Sequence, residues 1–355
     1  MSNKIYLSEK PGRTVRVDGG EYLFFSGYNY LGINCDPEFF GLLQEGLHRY
    51  GWLFPSSRIS NTRLNLYREC EAVLSEITGT EDTVLLPSGF SAGRVATSLY
   101  EERLFNAPGS HPAIMRTRPV QNGFEEWCTW LRDELNLGGK SMSAIAADSL
   151  NPLTATIHDF GFLSECSRDI AVIIDDSHGI GVTGTSGRGV SSVVPRASNI
   201  NYLFTYSLSK AFGIAGGAVS CGKQPAALLR TFPEYAAVTP QSPAQLHAFL
   251  HGQHIYSRQR QRLLANIQAF TELIQGLPGI HYSDDFPVFV LDDLYTEQQF
   301  LKDGILISSF AYPDPAGKKL NRIVINALHT ADDLGQLAGC LKKAAASKPH
   351  QTSLI

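Results

Sequence analysis

The sequence predicts an α/β protein whose larger part is a mostly parallel sheet covered by helices on both faces. Between Thr83 and Cys221, short apolar runs alternate with stretches long enough to form helices, which is typical of parallel sheets. These runs are 84–86, 144–147, 171–174, 202–205 and 218–220. Beyond residue 240 the pattern changes to a long helix, a few short strands and a last helix, which indicates a smaller α+β domain.

The same patterns predict how the chain is divided. We expect residues 1–33 to form an N-terminal hairpin segment that packs with the small domain, residues 34–240 the large domain and residues 241–355 the small domain. The hairpin is predicted by two extended runs, 13–17 and 21–25, on either side of a glycine turn.

Helices and strands are predicted individually from turn residues and apolar spacing. Pro37 lies in the first turn of a helix that begins after Asp36, and 66–77 has the spacing of an amphipathic helix. In the small domain we expect one helix over 243–274, strands at 288–291, 305–308 and 322–325, and a helix over 331–345.

The composition excludes several classes of protein. The chain has 355 residues, a formal net charge of -4 and 43% hydrophobic residues, so it can bury a large core and has no basic footprint for nucleic acid. No apolar run is as long as a membrane span and Met1 leads into polar residues, so we expect a cytoplasmic protein. The six cysteines are widely scattered, which predicts reduced core residues and no metal site.

Two predicted strand ends carry the residues that indicate chemistry. The run 171–174 ends in Asp175-Asp176-Ser177-His178, and a later strand leads into a lysine, Lys210, followed by small residues and glycines. Pyridoxal phosphate is held as an imine on a lysine, and a carboxylate keeps its pyridine nitrogen protonated so that the ring accepts electrons. The sequence therefore predicts pyridoxal phosphate, with Lys210 as its lysine and Asp175 as the carboxylate. A solvated Lys210 and a merely strand-ending Asp175 are the alternatives.

These motifs together resemble a known family. Ser88-Gly89-Phe90, His111, the segment from Asp175 to Gly181 and the segment from Ser207 to Gly213 are similar to the α-oxoamine synthases, which are fold type I pyridoxal phosphate enzymes. The family includes 8-amino-7-oxononanoate synthase, glycine C-acetyltransferase, serine palmitoyltransferase and 5-aminolevulinate synthase. The resemblance runs from about Tyr22 to the C-terminus.

The resemblance implies roles for two histidines. His178 matches the histidine that approaches the phenolic oxygen of the cofactor and the substrate carbonyl, and a structural histidine is the alternative. His111 matches an imidazole that stacks on the pyridine ring, although Gly109-Ser110 before it and Pro112 after it differ from the family pattern. Stacking keeps the ring plane fixed relative to the bond that is broken.

A phosphate site is predicted where a strand leads into a helix. Ser88-Gly89-Phe90-Ser91 follows the run 84–86, and the N-terminus of a helix binds anions through its unpaired amides and its dipole. A plain strand-to-helix turn is the alternative. By resemblance, Ser207 also contacts the phosphate, and Thr239 is contributed by the neighbouring subunit, which implies a homodimer with shared active sites.

The chain departs from the family at the substrate. Family members bind the amino-acid carboxylate with an arginine and an asparagine, and the matching positions here are Tyr312 and Tyr28. A family serine that contacts the cofactor oxygen is Pro152 in this alignment. A tyrosine hydroxyl cannot replace a guanidinium charge, so the substrate site is predicted to be rebuilt around Tyr28 and Tyr312. Other arginines are possible substitutes, although surface ion pairing is the expected role of each: Arg58, Arg63 and Arg322.

The resemblance implies a reaction and leaves two rivals. The implied reaction is the decarboxylative condensation of an amino acid with an acyl thioester, carried by coenzyme A or by a carrier protein. The first rival is an aminotransferase or lyase that acts on an amine or an unusual amino acid, and the changes at Tyr28 and Tyr312 favour it. The second is a protein that binds the cofactor without turnover, which the presence of Lys210, Asp175 and His178 together opposes.

Overall fold

The computed structural model describes residues 4–119, 121–137, 142–312 and 314–347. Within them the strands are β1 (Thr14–Val17), β2 (Gly20–Phe25), β3 (Asp82–Leu86), β4 (Leu104–Asn106), β5 (Ala144–Asp148), β6 (Leu150–Asn151), β7 (Thr156–Ile157), β8 (Ile170–Asp175), β9 (Ile200–Ser207), β10 (Gly217–Cys221), β11 (Ile280–His281), β12 (Val288–Leu291), β13 (Ile305–Ala311) and β14 (Lys319–Val324). The helices are α1 (Pro37–Tyr50), α2 (Asn65–Thr78), α3 (Gly89–Ser98), α4 (Phe124–Leu137), α5 (Lys223–Leu229), α6 (Pro233–Ala236), α7 (Pro243–His251), α8 (Gln253–Ile274), α9 (Glu297–Lys302) and α10 (Ala331–Ala346).

The chain forms two compact units, which differ in their boundaries from the segments expected from sequence. The larger unit comprises residues 36–151 and 157–257, and the smaller comprises 1–35, 152–156 and 258–355. The chain leaves the larger unit after Ser257 rather than after residue 240, because α7 packs on α1 and α2. A short excursion, 152–156, also belongs to the smaller unit.

The larger unit is built on a six-stranded sheet in the order β3-β10-β9-β8-β5-β4. Strands β4, β5, β8 and β9 run parallel to one another, and β10 is antiparallel to both of its neighbours. The mostly parallel sheet is therefore confirmed. All six residues of β8 are buried, because helices cover the sheet, and its run of alanine, valine and isoleucine suits a strand without a solvated face.

One face of this sheet packs against α3 and forms the core of the unit. Apolar side chains from β3, β5, β8, β9 and β10 meet Ala92, Val95 and Ala96 of the helix, all of them at most 4% exposed. Burial of this kind contributes about 25 cal/mol per Å² of apolar surface. The core fixes the carboxyl ends of the parallel strands, which is where ligands bind in open α/β sheets.

The smaller unit has its own six-stranded sheet in the order β1-β2-β13-β14-β12-β11. The predicted hairpin is confirmed as β1 and β2, and β2 pairs with β13 in parallel, so the N-terminal segment is part of this sheet. The last helix, α10, begins at a capping box in which Thr330 and Asp333 satisfy each other's backbone amides. Arg13 lies 2.6 Å from Asp333 and ties the hairpin to that helix start.

The helix predicted over 243–274 is wrong as a single element. The structure has two helices, α7 and α8, on either side of Gly252. A side chain at Gly252 would meet the carbonyl oxygen of Ala248 at 2.7 Å and the ring of Phe39 at 3.1 Å. The break therefore follows from close packing at one position, which apolar spacing does not reveal. No helix among the residues described is long and apolar enough to cross a membrane.

Candidate active site

The predicted lysine and histidine meet at the carboxyl edge of the parallel sheet. Lys210 lies three residues beyond the end of β9, and His178 lies three residues beyond the end of β8. Because these neighbouring strands are parallel, both loops leave the sheet at the same edge, and Lys210 Nζ lies 2.8 Å from His178 Nε2. The lysine loop is held by hydrogen bonds from the amide of Leu208 to Gly216 (2.9 Å) and from the Tyr256 hydroxyl to Phe212 (3.0 Å).

The two adjacent aspartates have different environments. Asp175 is the last residue of β8, is 6% exposed, and accepts a hydrogen bond from the amide of Ser177 at 3.0 Å. Asp176 is 1% exposed and accepts from the hydroxyl of Ser149 at 2.6 Å and the amide of Val190 at 3.0 Å. Both oxygens of Asp176 are thus used to hold the surrounding loops, whereas Asp175 ends the strand beside the lysine loop.

Burial also sets the protonation of Asp176. Removal from water raises the pKa of Asp176 to about 7, and the bonds from Ser149 and Val190 offset only part of that cost. A side chain at Gly179 or Gly189 would collide with this carboxylate, so both loop glycines are needed for its close enclosure. The geometry assigns a structural position to Asp176, and the choice of Asp175 for the cofactor stays a prediction.

A cluster of hydroxyls lies at the start of α3. Ser88 caps the helix by accepting a hydrogen bond from the amide of Ser91 at 3.0 Å. The first helical amides, those of Gly89 and Phe90, have no intrahelical partners, as at every helix start. A side chain at Gly89 would lie 2.7 Å from Cβ of Ser207, so the helix start and the end of β9 are in close contact. The hydroxyls of Ser207 and Ser209 are 2.8 Å apart. Hydroxyls and free amides at a helix start are the groups with which proteins bind anions such as phosphate.

The part of Phe90 that lies at the start of α3 is its backbone amide. Its side chain is 53% exposed, and its amide belongs to the first turn of α3.

His111 is held on the loop that follows β4. Its amide donates to Asp148 Oδ2 at 2.8 Å, and its Nδ1 accepts from the amide of Ala113 at 3.2 Å. With Nδ1 as an acceptor, the neutral ring carries its hydrogen on Nε2. Burial lowers the pKa of His111, so the neutral form is favoured near pH 7.

Thr239 is exposed on the loop after α6. Two residues later, Gln241 ties this loop to the carboxyl end of β3, because its side-chain amide donates to the carbonyl of Leu86 and its own carbonyl accepts from the Tyr67 hydroxyl. The loop that carries Thr239 is therefore anchored at the same sheet edge as Ser88.

Tyr28 and Tyr312 belong to the smaller unit. The Tyr28 hydroxyl accepts from Arg322 Nη2, and its ring lies 4.8 Å from the guanidinium carbon; the ring of Phe310 lies at the same distance. Tyr312 is 43% exposed. Nη1 of Arg322 donates to the carbonyl of Pro152 at 3.3 Å.

None of the three arginines considered from sequence forms the expected surface ion pair with a residue that the structure describes. Arg322 is 2% exposed, its Nε has no hydrogen-bond acceptor, and no carboxylate among the residues described lies within 4 Å of it. Arg58 is 8% exposed and is paired with Glu71 at 2.7 Å between the rings of Tyr67 and Tyr235. Arg63 is exposed and donates to the carbonyls of Ser60 and Ile59.

Several polar residues of the site were not predicted. Asp148 ends β5 as Asp175 ends β8, and an apolar run ending in aspartate was a signal for both. Ser177 accepts from the amide of Ser207 at 3.0 Å, so it joins the ends of β8 and β9. Ser209 lies inside the lysine motif and bonds to Ser207 two residues away, but nothing beyond its residue type indicated a role.

These residues fit pyridoxal phosphate. A lysine amine, a strand-end carboxylate and a hydroxyl cluster at a helix start lie along one edge of a parallel sheet, and Gly89 lets the start of α3 pack directly against Ser207. The architecture is that of the fold type I pyridoxal phosphate-dependent transferases.

The comparison with known families agrees. The sequence model of the aminotransferase class I and II family matches residues 158–341, and the chain belongs to that family.

Among individual proteins, the chain is similar to 8-amino-7-oxononanoate synthases. It is 25% identical to the enzyme of Aliivibrio fischeri, with 95% of this chain and 92% of the relative covered, and 28% identical to that of Vibrio cholerae, with 90% and 87% covered. The structure superposes on serine palmitoyltransferase of Sphingomonas wittichii with a TM-score of 0.81, at 18% identity over 97% of this chain and 92% of the other. The 8-amino-7-oxononanoate synthase of Francisella tularensis gives a TM-score of 0.74, at 21% identity over 92% and 98%.

Proposed function

We propose that this protein is a pyridoxal phosphate-dependent acyltransferase that condenses an amino acid with an acyl thioester, with loss of carbon dioxide. The observation that carries the proposal is the 2.8 Å approach of Lys210 Nζ to His178 Nε2 at the sheet edge where Asp175 ends β8. The similarity to 8-amino-7-oxononanoate synthases over nearly the whole chain supports the reaction type.

Bound pyridoxal phosphate supplies an electron-accepting ring that stabilises a carbanion at the α-carbon of an amino acid. The hydroxyls of Ser88, Ser207 and Ser209 and the first amides of α3 would bind the phosphate. Asp175 would face the pyridine nitrogen as an anion, and the neutral imidazole of His111 would cover the ring.

Lys210 and His178 would move protons. An amine 2.8 Å from an imidazole nitrogen can pass a proton to it or take one from it, so the pair can remove the α-proton of a substrate and return it. His178 is also placed to donate a hydrogen bond to a carbonyl oxygen that gains charge when an acyl group is attacked.

The smaller unit contains a buried cation, Arg322. A guanidinium that is 2% exposed and has no carboxylate partner among the residues described is costly unless an anion binds it, and the unsatisfied Nε offers a donor. Of the arginines considered from sequence as substitutes for the lost charge, Arg322 therefore has the chemistry to bind a carboxylate. The proposal is an amino-acid substrate, with coenzyme A or a carrier protein as the source of the acyl thioester.

We also propose a cytoplasmic homodimer. Thr239 is exposed on a loop anchored at the cofactor edge of the sheet, which supports a role for it toward a second subunit. On this proposal each active site contains residues of both copies.

An aminotransferase or lyase is the second candidate. It is favoured by the exposed tyrosine at position 312, where α-oxoamine synthases have an arginine. The chain then has one guanidinium fewer for a carboxylate.

Two measurements on the cofactor-loaded protein separate the candidates. Exchange of the α-proton of glycine, alanine or serine in D₂O, followed by NMR, reports carbanion formation, and thiol release from an acyl-coenzyme A in the presence of the amino acid reports acyl transfer. The proposed acyltransferase gives both. Exchange with formation of an oxo acid and no thiol release identifies the aminotransferase. Neither signal in a protein that carries the cofactor identifies a binding protein without turnover.

A further inference from the structure

A second carboxylate lies beside Asp175 at the edge of the sheet. Strands β5 and β8 are parallel neighbours, and their register pairs Asp148 with Asp175, the last residue of each strand. Parallel strands lie about 4.8 Å apart and paired residues project to the same face, so the two carboxyl groups are close together. Two like charges at this separation would oppose each other unless one of them carries a proton.

Asp148 makes contacts that lead to the loop carrying His111. Its Oδ2 accepts from the amide of His111 at 2.8 Å, and its backbone carbonyl lies 2.8 Å from Nδ1 of His158. His158 stacks on Phe124 with a centroid distance of 3.9 Å, so this side of Asp148 is rigidly packed. The later part of the loop is tied to the end of β4, because the Asn106 side chain donates to the carbonyl of Ile114 at 3.0 Å and accepts from the amide of Arg116 at 2.8 Å. Asp148 is the residue that holds the backbone amide of His111 itself.

We propose that Asp148 is a positioning residue, whose carboxyl group holds the loop so that the imidazole of His111 covers the cofactor ring, while Asp175 alone serves as the anionic partner of that ring. This inference rests on the proposed function for the identity of the cofactor. The contact of Asp148 with His111 is independent of it.

The protonation of Asp148 agrees with this division of roles. Burial, together with the neighbouring Asp175, raises the pKa of Asp148 well above its ordinary value, against the opposite influence of the His111 amide and of Lys210. An uncharged carboxyl still accepts a hydrogen bond from the His111 amide. Replacement by asparagine should therefore change α-proton exchange little at position 148 and reduce it severely at position 175.

A double-mutant cycle tests the proposal. Asp148→Ala, His111→Ala and the double variant are compared for the dissociation constant of pyridoxal phosphate and for the induced circular dichroism of the bound cofactor. Each single variant should weaken binding by about tenfold and reduce the dichroism, and the double variant should be no worse than His111→Ala. Additive losses would show that Asp148 does not act through His111 and would overturn the proposal.

Two further variants, Asp148→Asn and Asp148→Glu, refine the test. Asp148→Asn keeps an acceptor for the His111 amide and should bind the cofactor within about twofold of the unaltered protein, a free-energy difference near the resolution of such comparisons. A loss of α-proton exchange in Asp148→Asn as large as that in Asp175→Asn would show that charge at position 148 is what matters and would overturn the proposal. Asp148→Glu displaces the loop by one methylene and should lower the dichroism while the fold is kept. Asp148→Glu replaces Asp148→Ala in the test if Asp148→Ala does not fold. An unchanged circular dichroism spectrum of the cofactor in Asp148→Glu would contradict the proposal.

One readout needs no cofactor. In the apo protein, NMR titration of the His111 ring should show a changed pKa in Asp148→Ala, because the released loop moves the imidazole relative to Asp175 and Lys210, whose charges act on it. An unchanged titration overturns the positioning role. If the unaltered protein binds no pyridoxal phosphate but His111 responds in this way, the proposed function fails and the role of Asp148 in holding the loop stands.

Discussion

Lys210 Nζ lies 2.8 Å from His178 Nε2, although the two residues are on different loops and 32 positions apart in the chain. The contact exists because β8 and β9 are parallel neighbours that end at the same edge. It places an imidazole beside the amine that we propose for the cofactor, and it connects the two sequence motifs that indicated pyridoxal phosphate.

Lys210→Ala should abolish covalent attachment of pyridoxal phosphate and leave the fold intact, because the phosphate groups bind elsewhere. The check is mass spectrometry of the protein after incubation with the cofactor and reduction by borohydride. Lys223→Ala is the matched control, since Lys223 is exposed at the start of α5 and should leave the adduct in place. An adduct that persists in Lys210→Ala would mean that another lysine forms the imine.

Asp175→Asn should keep most cofactor binding and lose most α-proton exchange, because an amide cannot hold the pyridinium proton. Asp176→Asn should be much milder. Its amide oxygen can still accept from Val190, and the Ser149 hydroxyl can turn to accept from the new NH₂ group. Equal losses in both variants, or the reverse order, would refute the choice of Asp175.

The buried carboxyl of Asp176 should make stability depend on pH. Its pKa is about 7 in the folded protein and about 3.9 when unfolded, so the native state binds more protons between these values. The contribution of this group is fully present below about pH 4 and is lost as the pH rises to about 7. In urea unfolding at pH 5, 6, 7 and 8, the free energy of unfolding of the unaltered protein should fall with pH relative to that of Asp176→Asn. The same pH dependence in both proteins would contradict the prediction.

If Arg322 is the substitute for the lost carboxylate anchors, Arg322→Lys should weaken binding of simple amino acids by about tenfold to a hundredfold, because a lysine cannot reproduce bidentate, planar pairing with a carboxylate. Amines that lack a carboxylate should be unaffected. Titration of the visible spectrum of the loaded protein with glycine and with ethylamine measures both. Tyr312→Phe is the control at the exposed position, and equal weakening of the amine would indicate disturbed packing rather than a lost anchor.

Thr239→Ala should weaken cofactor binding without lowering the melting temperature of the apo protein, because the side chain is exposed within one copy of the chain. Binding should also weaken on dilution if the site is shared between subunits, which sedimentation over a concentration series with and without cofactor would show. Thr231→Ala, another exposed threonine of the same unit, serves as the comparison. A monomer that binds as tightly as the dimer excludes the shared site.

The sheet of the larger unit and most of its elements were predictable from local pattern. Strand β8 is apolar throughout because both of its faces are buried, and α1 begins at Pro37 because Asp36 caps the amides of Glu38 and Phe39. The helix over 243–274 was not predictable as two elements, because the break at Gly252 depends on contact with Ala248 and Phe39.

By itself the sequence determined the fold class and the family resemblance. It also predicted Lys210, Asp175 and His178 as site residues, because each lies at or just after the end of a strand that local pattern predicts. Only the tertiary structure decided the surroundings of Asp148 and Arg322. Asp148 lies beside Asp175 through the register of β5 with β8, and Arg322 is buried against Tyr28 and Phe310, 294 positions and 12 positions away in the chain. Register and burial are set by packing between distant segments, so no local pattern contains them.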